Sequence, residues 1–442
     1  PAMPASALSS QYLAPHLWAR LLLAVALAGG APAGASDYRE LVTLFEDWRA
    51  FEAPPLRDGA PDYTAQRFDA AYAELPRYRA RLEAIDTADW PLEQQVDWHL
   101  LRAEMNGFEF NHRVLRPWVR DPAFYQSVWD HQSDVPAHEG PTHHAVLELW
   151  RYEFPLSPQA EQRMIRELQV IPPLMAQAQR NLSGNARDLW VAGIRDIRRQ
   201  DALLAAIRER AGERASPELN AAIGDASAAT RELVAWLEAQ APSKTGPSGV
   251  GRDNYSWYQM QVHYLPMDFG EEYRLLEREL DRAWSTLALE EHRNRDLPAQ
   301  TAADSPEAYA ELVEETSAQM LRWLEEEEIL PMRDYMAREL VAHLGGYQGP
   351  QKRNFFTIVT HHDPRPLLSH FYHWFDLAEI RDYPHPSPIR RGALLYNIFD
   401  TRNEGTATGV EEMFMHAGLY EDSPRARELV WIMLAQRAAR GL

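Results

Sequence analysis

Cysteine is absent from the 442 residues. Its absence excludes disulfide scaffolds, thiolate zinc sites, iron–sulfur clusters and cysteine nucleophiles together. Any transition metal in this chain must therefore be held by imidazole and carboxylate. Positive charge is also short: 45 Lys and Arg stand against 65 Asp and Glu, a formal net charge of -20. Neutralising a phosphate backbone needs clustered Lys and Arg, so the balance argues against nucleic acid as a partner. Long apolar runs are confined to one near the N-terminus, strand-like alternation is scarce, and there is no internal repeat. What is present is ordinary for a globular chain, with 45% hydrophobic and 25% charged residues. The length suits two or three domains or one large helical body.

The opening Pro1-Ala2-Met3 places the expected start of translation at Met3. Arg20 precedes the apolar run Leu21 to Ala28, and Ala33-Gly34-Ala35 forms an A-x-A site before Ser36. A basic residue, a short apolar core and a small-residue cleavage site in that order predict a signal peptide over residues 1–35. The run is shorter than the ~20 residues that span a bilayer, so cleavage is expected rather than a membrane span. No cysteine follows it to carry a lipid anchor. The reading is a periplasmic or secreted protein with an N-terminal helical half, residues 36–245, and a C-terminal helical half, residues 246–442.

Helical periodicity runs through the body. Tyr38, Leu41, Leu44, Phe45 and Trp48 recur at three- and four-residue steps. Similar patterns cover Leu92 to Ala103, Leu168 to Leu182, Glu218 to Leu237 and Glu271 to Leu289. Ala308 to Leu344 reads as a longer stretch broken near Pro331. The best strand candidate is Phe355 to Thr360, rich in β-branched residues. The fold class is therefore all-α, a large multi-helix body with at most a small β element. Ala241 to Gly251 is too rich in Pro, Gly and Ser for a helix and reads as a loop or boundary. Arg116 to Pro141 combines four prolines with Trp118, Phe124, Tyr125 and Trp129, which predicts a packed loop. Glu325 to Glu328 is expected on a solvated helix face.

Half of the sixteen histidines fall in two windows: His131, His138, His143 and His144, then His361, His362, His370 and His373. Histidine is the commonest metal ligand among side chains. His138 and His143 are five residues apart with Gly140-Pro141 between them, which denies them a shared helix face. His370 and His373 are three apart, after Pro364 and Pro366, and can project from one face. Glu404 follows in a segment where Asp400, Glu404, Thr408 and Glu411 share a helix face. His370, His373 and Glu404 would give a metal three ligands and leave a position open for water. The competing reading is a buried His/Glu network that fixes helix packing without metal.

These residues resemble a family. Glu404-Gly405-Thr406-Ala407, Glu411-Glu412, Ala417-Gly418-Leu419-Tyr420, Arg390-Arg391 and Arg437-Ala438-Ala439-Arg440 are similar to the second half of the DUF885 family, bacterial proteins of unknown function. Gly251 to Tyr258 resembles the segment that opens that half. The likeness covers Gly251 to Leu442 more firmly than the rest. It implies a gluzincin-like helical architecture and a zinc metallopeptidase type of site. Where the family has His-Glu, this chain has His370-Phe371 or His362-Asp363, and where members usually continue, it stops at Leu442.

The reading that results is an exported metal-dependent hydrolase, peptidase-like, acting on a peptide or other small-molecule substrate. Zinc is the expected cofactor, on His370, His373 and Glu404. Glu411 or Asp376 would take the proton role that Phe371 cannot, Tyr372 and Tyr396 are candidate oxyanion donors, and Arg390 and Arg391 are candidate binders of a substrate carboxylate. Two alternatives stand beside it. One is a non-catalytic relative serving as a binding or scaffold protein of the envelope, and the other is a small-ligand binder using Trp118 to Trp129.

Overall fold

Side chains that satisfy the orphan N–H groups of a first helical turn set seven of the helix starts. Asp37, Thr64, Ser157, Ser216, Asp268, Ser305 and Asn354 each accept a backbone N–H two or three residues on. Pro158, Pro217 and Pro306 follow three of these caps, at the position where a missing N–H costs nothing. The computed structural model describes residues 37–132, 147–391, 394, 396 and 398–442. The expected signal segment and His138, His143 and His144 lie outside them.

The helices in chain order are α1 (Tyr38–Glu52), α2 (Ala65–Glu83), α3 (Leu92–Phe110), α4 (Pro117–Arg120), α5 (Pro158–Leu168), α6 (Ile171–Asn181), α7 (Arg187–Ala211) and α8 (Pro217–Gln240). They continue as α9 (Arg252–Gln261), α10 (Phe269–Arg293), α11 (Pro306–Glu326), α12 (Met336–Ala342) and α13 (Phe355–His362). The last four are α14 (Arg365–His370), α15 (Tyr372–Asp382), α16 (Ile398–His416) and α17 (Ala426–Gly441). Two small β elements accompany them: an antiparallel pair, β1 (Leu56–Arg57) with β2 (Ala60–Pro61), and a parallel pair, β3 (Val128–Trp129) with β4 (Leu147–Glu148). The first pair turns at Asp58-Gly59, both at positive φ, the combination a two-residue hairpin requires. The all-α expectation is met.

Three apolar clusters form the core. One joins α5 to α8 with the Trp118 to Val128 segment, where Trp118 and Tyr125 are buried, so that stretch is packed as its aromatic content predicts. A second joins α1, α2 and α3 with Ile389. The third, from α10 to α17, carries the candidate site. Glu325 to Glu328 are exposed, as expected of a charge run. No helix among the described residues is long and apolar enough to cross a membrane.

Two local expectations are corrected. Leu168 to Leu182 is helical from Ile171 to Asn181 as α6, but Leu168 ends α5, because Pro172 and Pro173 cannot donate to a preceding turn and instead open α6. Phe355 to Thr360 is not a strand but most of α13. Asn354 caps Thr357 N–H while the Thr357 hydroxyl accepts the Asn354 N–H, a reciprocal cap that outweighs the β-branched composition. Asn354→Ala is expected to cost ~1 kcal/mol of stability, read as a shift in the urea midpoint at unchanged slope. The predicted interruption between α11 and α12 is present, spanning Pro331.

Candidate metal centre

Three features place the site. Arg365 and Asp363 are both buried and paired at 2.7 Å, and Arg365 also donates to Leu419 O and to Asp422. This ties the start of α14 to the turn between α16 and α17. Leu368 and Phe371 then bury against the third core cluster, which leaves His370 at the end of α14 facing α16. Phe371 breaks the helix: its ψ of 6° is not helical, and its N–H bonds to Leu368 O in a tight turn. His370 and His373 therefore end one helix and begin the next, rather than sharing one as their spacing predicts. They meet all the same, ring to ring at 4.9 Å in an edge-on arrangement.

Glu404 and Glu411 lie seven residues apart on α16, ~10.5 Å along its axis. The His370 imidazole stands between them. Its Nδ1 is 2.9 Å from Glu411 and its Nε2 is 3.4 Å from Glu404. Glu411 is fully buried and takes two bonds from Arg437 of α17, at 2.8 and 2.5 Å. Glu404 is more open, with 38% of its side chain exposed. Burial opposes a charge on His370, but the hydrogen bonds to Glu404 and Glu411 prevail and push its pKa up to about 9. His373 goes the other way, down to about 3, through burial and the neighbouring His370 charge. His373 thus stays neutral at neutral pH, with one ring nitrogen offering a lone pair, the form in which imidazole binds a metal.

His370, His373 and Glu404 each offer a ligand atom, and the three atoms lie within 4.8 Å of one another. Two ligand atoms ~2.1 Å from one tetrahedral ion stand ~3.4 Å apart. The Nε2 to Oε2 distance of 3.4 Å matches that spacing, and it is longer than the ~2.7–2.9 Å of a close charge-assisted hydrogen bond. The donor set fits a metal. Glu411 holding Nδ1 is the outer partner that metal-binding histidines usually have.

The other predicted residues sit elsewhere. Asp376 pairs with Arg402, and burial raises its pKa. Tyr372, its pKa also raised by burial, lines a cavity of about 180 Å³ with Asp376, Tyr335 and Glu379. Arg390 is bound at 2.5 Å by Asp97 of α3, and Arg391 donates to the His385 and Pro386 carbonyls. Tyr396 N–H contacts Glu104, also on α3. The contacts described for these three are with residues other than His370 and His373. His361 is a packing residue, bonded to Thr357 O and Gln348 N–H and stacked on Tyr309. His131 is exposed.

Sequence reasoning missed two participants. Arg437 appeared only within a family-like segment, yet its guanidinium fixes Glu411. His343 stacks on Trp374 at 3.5 Å, pairs with Glu339 and adds positive potential at His373. No spacing signal links either to His370, because both arrive from separate helices.

No family model matches the sequence, and no curated protein sequence matches it. Among solved structures, the fold is similar to that of a protein from Shewanella oneidensis described as a candidate lipoprotein of unknown function. The two share 13% identity at a TM-score of 0.58, over 90% of this chain and 81% of that one. At that identity the likeness is one of fold.

Proposed function

We propose that the chain is an exported, zinc-dependent hydrolase of the peptidase type, with His370, His373 and Glu404 as the ligands. The observation that carries this reading is His370 held by Glu411 on one ring nitrogen and facing Glu404 across a ligand-sized gap with the other. Zinc bound there supplies a Lewis acid for a substrate carbonyl and lowers the pKa of water towards neutrality. The protein's part is to orient and to admit. Glu411, fixed by Arg437, orients His370. The exposed side of Glu404 gives a substrate access. Tyr372 and Asp376, which line a cavity of their own on α15, are the residues proposed to bind a substrate group or carry a proton. The resemblance to the DUF885 family supports the same reaction type, and the acidic balance favours a peptide or other small molecule over nucleic acid. Export rests on the signal-like residues 1–35, and a lipoprotein as structural neighbour is in keeping with an envelope location.

A second reading is favoured by one observation: Glu411 is occupied by Arg437, and Asp376 by Arg402. With both carboxylates engaged, the chain would be a metal-binding scaffold of the envelope without catalysis. Incubation of the zinc-loaded protein with a mixture of unstructured peptides, followed by mass spectrometry, separates the two. The hydrolase reading predicts cleavage that a chelator abolishes and zinc restores. Stoichiometric zinc with no cleavage would leave the scaffold reading.

A further inference from the structure

The cavity of about 180 Å³ lies between α15 and residues 330–336, which lead into α12. Its walls are mostly apolar: Leu330, Pro331, Met336 and Phe375, with the rings of Tyr335 and Tyr372. Tyr335, Met336 and Phe375 are buried members of the third core cluster, and Leu330 and Tyr372 pack against it, so packing holds these walls in place. Benzene occupies apolar cavities of ~150 Å³. One aromatic ring or leucine side chain therefore fits.

The charged groups of the lining are already answered. Glu379 accepts the Tyr335 hydroxyl at 2.8 Å and pairs with Arg333 at 3.3 Å, while Arg333 also lies over the Tyr383 ring. Asp376 pairs with Arg402 of α16. A charged ligand would have to break one of these pairs, whereas an apolar one meets the exposed faces of the rings and aliphatic groups directly. What the cavity selects for is size and apolarity.

The bridge between Asp376 and Arg402 sets this cavity beside the metal centre. Asp376 follows His373 by three residues on α15, and Arg402 precedes Glu404 by two on α16. Each end of the bridge is thus within one helical turn of a metal ligand. Tyr372, Phe375, Asp376 and Glu379 share one face of α15 at steps of three and four, and Asp376 lies at the edge of that face nearest His373. A helical turn rises ~5.4 Å and an extended residue spans ~3.4 Å. A peptide with its carbonyl at the metal would carry a side chain into the cavity from one to three positions away. We infer that this cavity is the subsite for a large apolar side chain, aromatic or leucine, of a peptide substrate, an inference that rests on the hydrolase reading above.

The test has two arms. In the first, the metal-free full chain is titrated with N-acetyl-phenylalaninamide and with N-acetyl-alaninamide by calorimetry. Saturable binding of the phenylalanine compound is expected in the millimolar range or tighter, the reach of a small fragment. The alanine compound should bind at least 10-fold more weakly. Leu330→Trp fills the cavity from a partly exposed position and should cost the phenylalanine compound a similar factor. If that variant does not fold, Pro331→Trp closes the mouth from the exposed neighbouring position. In the second arm, the zinc-loaded chain is given a mixture of unstructured peptides. Cleavage should favour an aromatic residue or leucine over alanine by about 10-fold or more at one fixed position within three residues of the cut bond. Probe binding without cleavage supports the site and counts against the hydrolase reading alone. Cleavage without probe binding or without that preference overturns the subsite and leaves the reaction standing. Equal binding of the alanine compound, or full affinity in the variant that folds, overturns it as well.

Discussion

Glu404→Gln is expected to lower the affinity of the chain for zinc by more than ~100-fold, beyond the 10–100-fold typical of losing an outer partner. The change keeps the shape of the side chain but removes its negative oxygen, leaving the His370 and His373 imidazoles as the only strong ligands. Stability of the metal-free protein should hardly move. Glu404 is 38% exposed and 3.4 Å from His370, and partly exposed ion pairs contribute up to ~1 kcal/mol. Zinc competition against a colorimetric chelator, with a melting curve on the same sample, reads both quantities. A packing role for Glu404 predicts the reverse: unchanged zinc affinity and a lower melting temperature.

The largest effect on stability is expected one layer back. Arg437→Met removes the guanidinium that makes two bonds to Glu411, whose side chain is entirely buried. An uncompensated buried carboxylate costs ~3–5 kcal/mol, reduced here to the extent that His370 stays protonated beside it. Adding Glu411→Gln to that variant removes the stranded charge and should recover part of the loss, because the two sites share one network. Glu411→Gln alone should weaken zinc binding ~10–100-fold through looser orientation of His370. Urea unfolding of the four proteins completes the cycle. Additive losses in the double variant would show that Arg437 acts through something other than Glu411.

The parts of this fold that the sequence announces are those where one local rule decides. The apolar spacing of Glu218 to Leu237 and of Glu271 to Leu289 is local, and α8 and α10 lie where it indicates. Phe355 to Thr360 misleads because its composition favours a strand, while a two-residue reciprocal cap and burial of Val359 and Thr360 decide for a helix. The site was legible in the same measure. Periodicity puts Glu404 and Glu411 on one face of α16, and both do reach His370. That they reach opposite nitrogens of one ring, giving one carboxylate a ligand's place and the other an outer place, depends on how α14 docks against α16. Burial is what separates the two: Glu411 sits under Arg437 and Glu404 opens to solvent. Arg390 and Tyr396 looked like site residues because a guanidinium can bind a carboxylate and a phenol can donate to an oxyanion, yet on α3 they meet Asp97, the Glu93 carbonyl and Glu104.

The central claim is that one metal sits among His370, His373 and Glu404. Crystals of the protein grown with equimolar zinc, measured on both sides of the zinc absorption edge, test it most directly. The account predicts a single anomalous peak per chain, ~2.0–2.2 Å from ligand atoms of all three residues. Full zinc loading in solution with the peak elsewhere on the chain, or no peak with His370 still paired directly to Glu404, would contradict it.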